Sequence, residues 1–336
     1  MKASVIGAGS WGTALAQVLG NKGIPTVMWA RDEAVAQGIN SEHRNPRYLS
    51  DSVLSENITC TTSATEALDQ SDAVVIVTPS LFARSTAEMI APCIDGNTPL
   101  VICSKGVEEG SGLLLTEVVA DVVGNEDRIA VLSGPTHAEE VICEQPSATV
   151  IAGTGEQTVL FFRDLFATDK FRTYASDDPV GVELCGAFKN VIAIAVGISY
   201  GMGLGDNTAA LVITRGLAEM GRMVTACGGN AMTCLGLAGT GDMVVTCMSR
   251  HSRNRRFGQD YIAEGKTLDD FYADTHMVVE GAIACKTLQT LSEAHGVELP
   301  LTNAVREVVW NGGDLHALAK ELFTRPLKSE FYGMEC

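Results

Sequence analysis

At 336 residues the chain exceeds the usual size of one domain, so two domains around at least one large core are expected and a mini-protein is excluded. With 46% hydrophobic and 19% charged residues, it lies far from the apolar-poor, charge-rich chains that stay disordered. A formal net charge of -17 sets the global field against DNA, RNA and anionic lipid surfaces, so any bound anion must be held by a local basic cluster.

The chain opens on a β-branched run, 3–6, followed by Gly7-Ala8-Gly9-Ser10-Trp11-Gly12 and an amphipathic stretch, 13–19. A G-x-G-x-x-G between strand and helix is a dinucleotide motif: Gly7 allows the tight turn, Gly9 lets the backbone approach a pyrophosphate, and Gly12 lets helix and strand pack closely. The same glycines break any hydrophobic signal region after Met1-Lys2. No uninterrupted apolar run has membrane-spanning length, so no membrane insertion is expected.

A second run, 26–29, ends in Trp29-Ala30-Arg31-Asp32, about twenty residues beyond Gly12, where an acid would bind the adenine ribose in an NAD site. Arg31 stands where a 2′-phosphate would lie, which favours NADP over NAD. Asp32 keeps NAD open, and its other reading is the N-cap of the next helix.

Further strand-like runs follow at 57–61, 73–77, 100–103, 129–132, 148–152 and 171–174, alternating with amphipathic stretches. That alternation predicts an α/β fold, an N-terminal Rossmann-type doubly wound parallel sheet. Ser104-Lys105-Gly106 and Ser133-Gly134-Pro135-Thr136 each follow a run, and ligands collect at the C-terminal strand edges of such sheets. Past Asp177 the runs stop. A boundary near Asp178-Pro179 is expected, dividing a dinucleotide-binding domain, 1–178, from an all-helical C-terminal substrate and catalytic domain, 179–336.

In the first helical segment, Lys189 has Cys185, Gly186, Ile192 and Ala193 as its neighbours three and four residues away, none of them polar. This ammonium is expected in a cleft or core, where desolvation favours the neutral form and lets it exchange protons near neutral pH. The segment 249–256 places Arg250, Arg253, Arg255 and Arg256 within an otherwise acidic chain, a local anion trap for substrate or cofactor phosphates. A nucleic-acid patch is disfavoured by the short run, the lack of interleaved aromatics and a pI of about 4.7. The ten cysteines, scattered from Cys60 to Cys336 with no C-x-x-C, read as reduced thiols in a cytoplasmic protein. The six histidines form no zinc pattern, and no metal site is expected.

Read together, these segments resemble the bacterial-type NAD(P)-dependent glycerol-3-phosphate dehydrogenases. The resemblance covers most of the chain: the glycine motif, Val77-Thr78-Pro79-Ser80, Ser104-Lys105-Gly106, 133–138, 183–194, Asn207-Thr208 with Thr214-Arg215-Gly216, 237–242 and 249–258. It implies a hydride transfer between NADP, or NAD, and dihydroxyacetone phosphate, a small phosphorylated triose, giving sn-glycerol 3-phosphate for phospholipid synthesis in a cytosolic homodimer. Lys189 is implied as proton donor and acceptor, oriented by Asp242, with Lys105 polarising the carbonyl. The implied substrate residues are Lys105, Gly134, Thr136, Lys189, Asp242, Ser252, Arg253 and Asn254, with Arg253 and Asn254 on the phosphate. Ser10, Trp11, Arg31, Lys105, Ala138, Arg253, Val278 and Glu280 are implied cofactor contacts. Three departures are Thr136-His137 in place of Ser-Phe, Thr240 in place of leucine, and a residue fewer around Asn207-Thr208-Ala209. Two rival readings stand beside it: a reductase of the 2-hydroxyacid or ketopantoate type, and a catalytically silent dinucleotide sensor.

Overall fold

The computed structural model describes residues 1–275, 277–330 and 332–333, so Cys336 lies outside the described residues. Eight short runs, mostly β-branched and apolar, form one sheet. They are β1 (Ala3–Ile6), β2 (Thr26–Trp29), β3 (Ile58–Thr61), β4 (Ala73–Ile76), β5 (Leu100–Ile102), β6 (Ile129–Ser133), β7 (Ser147–Ala152) and β8 (Phe171–Ser176). Their order is β3-β2-β1-β4-β5-β6-β7-β8, with the chain reversing direction beside β1. Every residue of β1 and of β4 is buried, as expected of strands covered on both faces.

The sheet departs from the all-parallel expectation at one place. β6 and β7 pair antiparallel, with Leu132 opposite Ile151, while β7 and β8 run parallel to each other. The connection through the one-turn helix Ala138–Val141 is too short for the helical crossover that parallel neighbours need. The core of this layer gathers Val5, Leu15, Leu19, Met28, Val75, Phe162 and Phe166.

By internal contacts the chain divides into two units, Met1–Lys105 with Leu115–Pro179, and Gly106–Leu114 with Val180–Cys336. The single boundary expected near Asp178-Pro179 therefore misses an excursion. Residues 106–114 form a small turn closed by a Val107–Leu114 bridge and by Glu108 N donating to Leu113 O at 2.9 Å. Their apolar ends, Val107 and Leu114, are buried.

The second unit is built on the helix Pro179–Gly201, buried continuously from Gly181 to Ser199. By length and composition it could cross a membrane, but its most apolar window is wholly buried in the protein and holds Glu183 and Lys189. Neighbouring helices approach it where side chains are missing. A Cβ on Gly258 would lie 2.2 Å from Ile194 O, and one on Gly281 would lie 2.5 Å from Asn190 O. On the helix Asp206–Ala226, buried Glu219 accepts from Leu301 N at 2.5 Å, Thr302 N at 3.1 Å and Thr302 Oγ1 at 2.9 Å, satisfying the start of the helix Pro300–Asn311.

Candidate active site

In the first unit, the glycine motif has the geometry its chemistry requires. Gly7 has φ +123°, and a Cβ there would lie 3.0 Å from the carbonyl carbon of Val77. A Cβ on Gly12 would sit 1.9 Å from Gly7 O, so helix and turn can meet only if this residue is glycine. Above Gly9, by contrast, nothing lies within 4 Å of the added atom. Gly9 caps the helix Ser10–Asn21 with no side-chain hydrogen bond, so Ser10, Trp11 and Gly12 form an uncapped N-terminal turn beside open space. Those residues fit a dinucleotide pyrophosphate, which needs backbone donors, a positive helix end and close approach.

A residue that sequence reasoning missed holds this turn. Asn45 is fully buried, and its Nδ2 donates to Ala8 O and to Thr13 Oγ1, each at 2.9 Å. Its Oδ1 accepts from the backbone of Arg47 and Tyr48, each at 3.1 Å. The only signal in the sequence was an Asn-Pro pair, which reads as an ordinary turn.

At the end of β2, Arg31 is exposed. Asp32 takes its N-cap reading: it accepts from Ala34 N at 2.9 Å and starts the helix Glu33–Glu42. Its second oxygen lies 2.5 Å from Arg47 Nη2. Beyond β5, Ser104 Oγ donates to Thr78 O, and half-buried Lys105 ends the first unit's initial segment. Beyond β6, Thr136 Oγ1 donates to Gly134 O at 3.1 Å, and a Cβ on Gly134 would lie 2.7 Å from Thr149 Cα. Ala138 is buried at the first position of the helix Ala138–Val141.

In the second unit, Lys189 is 7% exposed and Asp242 2%. Lys189 Nζ lies 2.5 Å from Asp242 Oδ1 and 3.0 Å from Thr246 Oγ1, and Thr246 Oγ1 donates to Asp242 Oδ1 at 3.3 Å. The lysine is buried, as its apolar neighbours predict. Its polar partners, Asp242 and Thr246, come from another helix, where the lysine's own sequence neighbours could not show them. Asp242 reaches the lysine from the first turn of the helix Asp242–Met248, after the wide π-helical turn Leu237–Gly241. There Thr240 Oγ1, one of the three departures, donates to Cys234 O at 2.9 Å. Cys247, on the same helix, has its thiol pushed up to about 12 by burial and stays protonated.

A second cluster lies on the same scaffold. Ser252 Oγ accepts from Arg255 N at 3.2 Å and caps the helix Arg253–Asp260. Arg253 Nη1 donates to Val278 O at 3.2 Å, just before Glu280 opens the helix Glu280–His295. Asn254 Nδ2 donates to Asn190 Oδ1, and Asn254 Oδ1 accepts from Gly281 N, each at 2.9 Å. The structure thus ties Asn254 to the residue after Lys189 and sets Arg253 beside Val278. The arginines of the cluster have different partners: Arg255 donates to Met248 O at 2.6 Å and lies 4.9 Å over the Tyr200 ring, and Arg256 lies 3.7 Å from Asp260.

Residues 2–159 match the family model described as the NAD-dependent glycerol-3-phosphate dehydrogenase N-terminus, and 178–320 match the C-terminus of the same family. The chain belongs to this family. A glycerol-3-phosphate dehydrogenase (NAD(P)+) of Thermobifida fusca is 42% identical over 99% of each chain. One from Corynebacterium diphtheriae is 43% identical over 98% of this chain and 100% of that one. The crystal structure of the glycerol-3-phosphate dehydrogenase of Coxiella burnetii superposes with a TM-score of 0.92 at 37% identity, covering 96% of this chain and 99% of that one. A ketopantoate reductase of Ralstonia eutropha JMP134 has a TM-score of 0.62 at 15% identity, with 96% of this chain and 99% of that one covered, a likeness of fold alone. Members of the glycerol-3-phosphate dehydrogenase family are NAD(P)-dependent oxidoreductases, and both halves of the family pattern are present in this chain.

Proposed function

We propose that the chain reduces dihydroxyacetone phosphate to sn-glycerol 3-phosphate, reversibly, with NADP the preferred cofactor and Lys189 the acid and base. The buried Lys189–Asp242 pair at 2.5 Å carries this reading. A bound nicotinamide nucleotide would supply hydride transfer at substrate C2. Lys189 gives its proton to the C2 oxygen during reduction and takes it back during oxidation. Asp242 holds the ammonium charged and aimed, and Thr246 fixes both ends of the pair. Lys105, as the group that polarises the carbonyl, and Gly134 and Thr136 are assigned to the substrate on the family pattern.

Phosphate is assigned to Arg253 and Ser252. A guanidinium fork meets a dianionic phosphate with paired hydrogen bonds, and the Ser252 hydroxyl keeps its own O–H to donate while it accepts from Arg255 N. Asn254 has one amide hydrogen committed to Asn190 and its oxygen to Gly281, so it registers Arg253 against the lysine helix as well as offering a second N–H. Ser10, Trp11, Arg31, Ala138, Val278 and Glu280 are assigned to the cofactor on the family pattern. The homodimer and the cytoplasmic location belong to the same proposal, and the nine cysteines among the described residues, none in a disulfide, fit a reducing compartment.

One cuvette tests the reading. NADPH fluorescence should fall on adding dihydroxyacetone phosphate and hold steady with ketopantoate. A fall with ketopantoate alone would replace the reading with the carboxylate reductase. Tight NADPH binding with no turnover of either would replace it with the sensor.

A further inference from the structure

The corner at the end of β2 contains a contradiction that Arg47 resolves. Asp32 is an acid near the position where NAD enzymes bind the ribose hydroxyls and where a 2′-phosphate would be repelled. Yet Asp32 points one oxygen at Ala34 N, 2.9 Å away, and the other at Arg47 Nη2, 2.5 Å away. Both oxygens of the carboxylate are therefore engaged.

Arg47 is not a wandering surface side chain. Its backbone N–H is held by Asn45 Oδ1 at 3.1 Å, and Asn45 is the buried residue that also grips Ala8 O inside the glycine turn. The loop carrying Arg47 is thereby fixed relative to the pyrophosphate turn. The guanidinium side chain is 61% exposed, so donors beyond the one on Asp32 remain accessible. The neighbouring charges in sequence have partners of their own: Arg44 donates to Ser50 O at 3.0 Å, and Glu33 accepts from Gln37 and Thr62, each at 3.3 Å. Arg31, Asp32 and Arg47 together leave one net positive charge, and without Arg47 they leave none.

We propose that Arg47 is a second specificity-determining residue for the cofactor: it masks the Asp32 carboxylate and, with Arg31, supplies the counter-charge for the 2′-phosphate of NADP. This rests on the dehydrogenase reading of the glycine turn. The energetic logic has two parts. A direct guanidinium–phosphate contact strengthens NADP binding, and the masked carboxylate removes a like-charge repulsion that NAD never meets.

The test is equilibrium binding, read by calorimetry without turnover. NADPH, NADH, 2′,5′-ADP and 5′-AMP are titrated into the full chain and into Arg47→Ala, Arg47→Lys, Asp32→Asn and the Asp32→Asn/Arg47→Ala double variant. In Arg47→Ala the Kd of NADPH and of 2′,5′-ADP should rise about tenfold or more, while those of NADH and 5′-AMP stay level or fall. Arg47→Lys should fall between the parent chain and Arg47→Ala in its preference for NADPH, because the charge remains but the planar fork is lost. In the Asp32→Asn background, Arg47→Ala should weaken NADPH binding by a clearly smaller factor, because no carboxylate is left to uncover. Equal losses for NADPH and NADH, an equal loss in both Asp32 backgrounds, or a parent chain that binds NADH more tightly than NADPH would overturn the proposal. A parent chain that binds neither nucleotide would instead overturn the dehydrogenase reading beneath it.

Discussion

The two units present their chemistry in different ways. In the first, the groups suited to a cofactor are backbone donors and glycine gaps delivered by six consecutive residues, Gly7 to Gly12, at one strand-to-helix turn. In the second, the reactive pair is made of side chains 53 residues apart, Lys189 and Asp242, with Thr246 completing it. Backbone recognition needs only local conformation, which a short motif encodes. A buried ion pair needs two helices delivered to one point, and its worth depends on burial that only the whole unit provides. Damage to the first should therefore appear in cofactor affinity, and damage to the second in turnover.

Asp242→Asn should sharpen this contrast most. It keeps the size of the side chain but leaves the Lys189 ammonium without its counter-charge, so kcat should fall about 10²–10³-fold. NADPH affinity measured by fluorescence should not change. Next comes Arg31→Ala, expected to weaken NADPH about ten- to hundredfold with little effect on NADH. An equal effect on both nucleotides would show that Arg31 does not read the 2′-phosphate.

Arg253→Lys keeps the charge but loses the planar fork, so kcat/KM for dihydroxyacetone phosphate should drop about tenfold. Unphosphorylated dihydroxyacetone should lose almost nothing. The same factor on both ketones would move the phosphate site to Lys105 or to the turn from Gly134 to Thr136.

The smallest functional effect is expected at Glu219, whose partners are Leu301 and Thr302 and which belongs neither to the glycine turn nor to the Lys189–Asp242 pair. Glu219→Gln should reduce stability by about 1–3 kcal/mol, because an amide must turn a donor toward groups that are themselves donors. Burial raises the Glu219 carboxyl above its ordinary value, against the lowering by its hydrogen bonds from Leu301 and Thr302. Folding thus favours the protonated form. Wild-type stability carries no penalty from this group below the unfolded value, roughly 4.3, and loses ground as pH rises from there through the folded value. The stability gap between wild type and Glu219→Gln, followed by urea unfolding, should narrow over that window.

What the sequence disclosed follows the same division. All eight strands lie within two residues of the β-branched runs, because a run of that kind is buried in a sheet whatever else happens. The antiparallel turn-back at β7 left no trace, since strand direction changes no residue in the run. The excursion Gly106–Leu114 was hidden because a glycine- and acid-rich stretch looks like any surface loop until Val107 and Leu114 are seen buried. In the second unit, Lys189 announced itself by its apolar neighbours. Thr246 and Asn190 did not, because one hydroxyl or amide among buried residues becomes informative only beside its partners. In the arginine cluster, composition counts four cations, whereas only geometry gives them distinct partners, Met248 and Tyr200 for Arg255 and Val278 for Arg253.

The most direct test of Lys189 as acid and base is a stopped-flow measurement on folded Lys189→Ala, with NADPH and saturating dihydroxyacetone phosphate in the same cell. The account predicts NADPH binding of wild-type strength followed by oxidation at least about 10²–10⁴-fold slower than in the parent chain. Oxidation at the parental rate in that variant would contradict it.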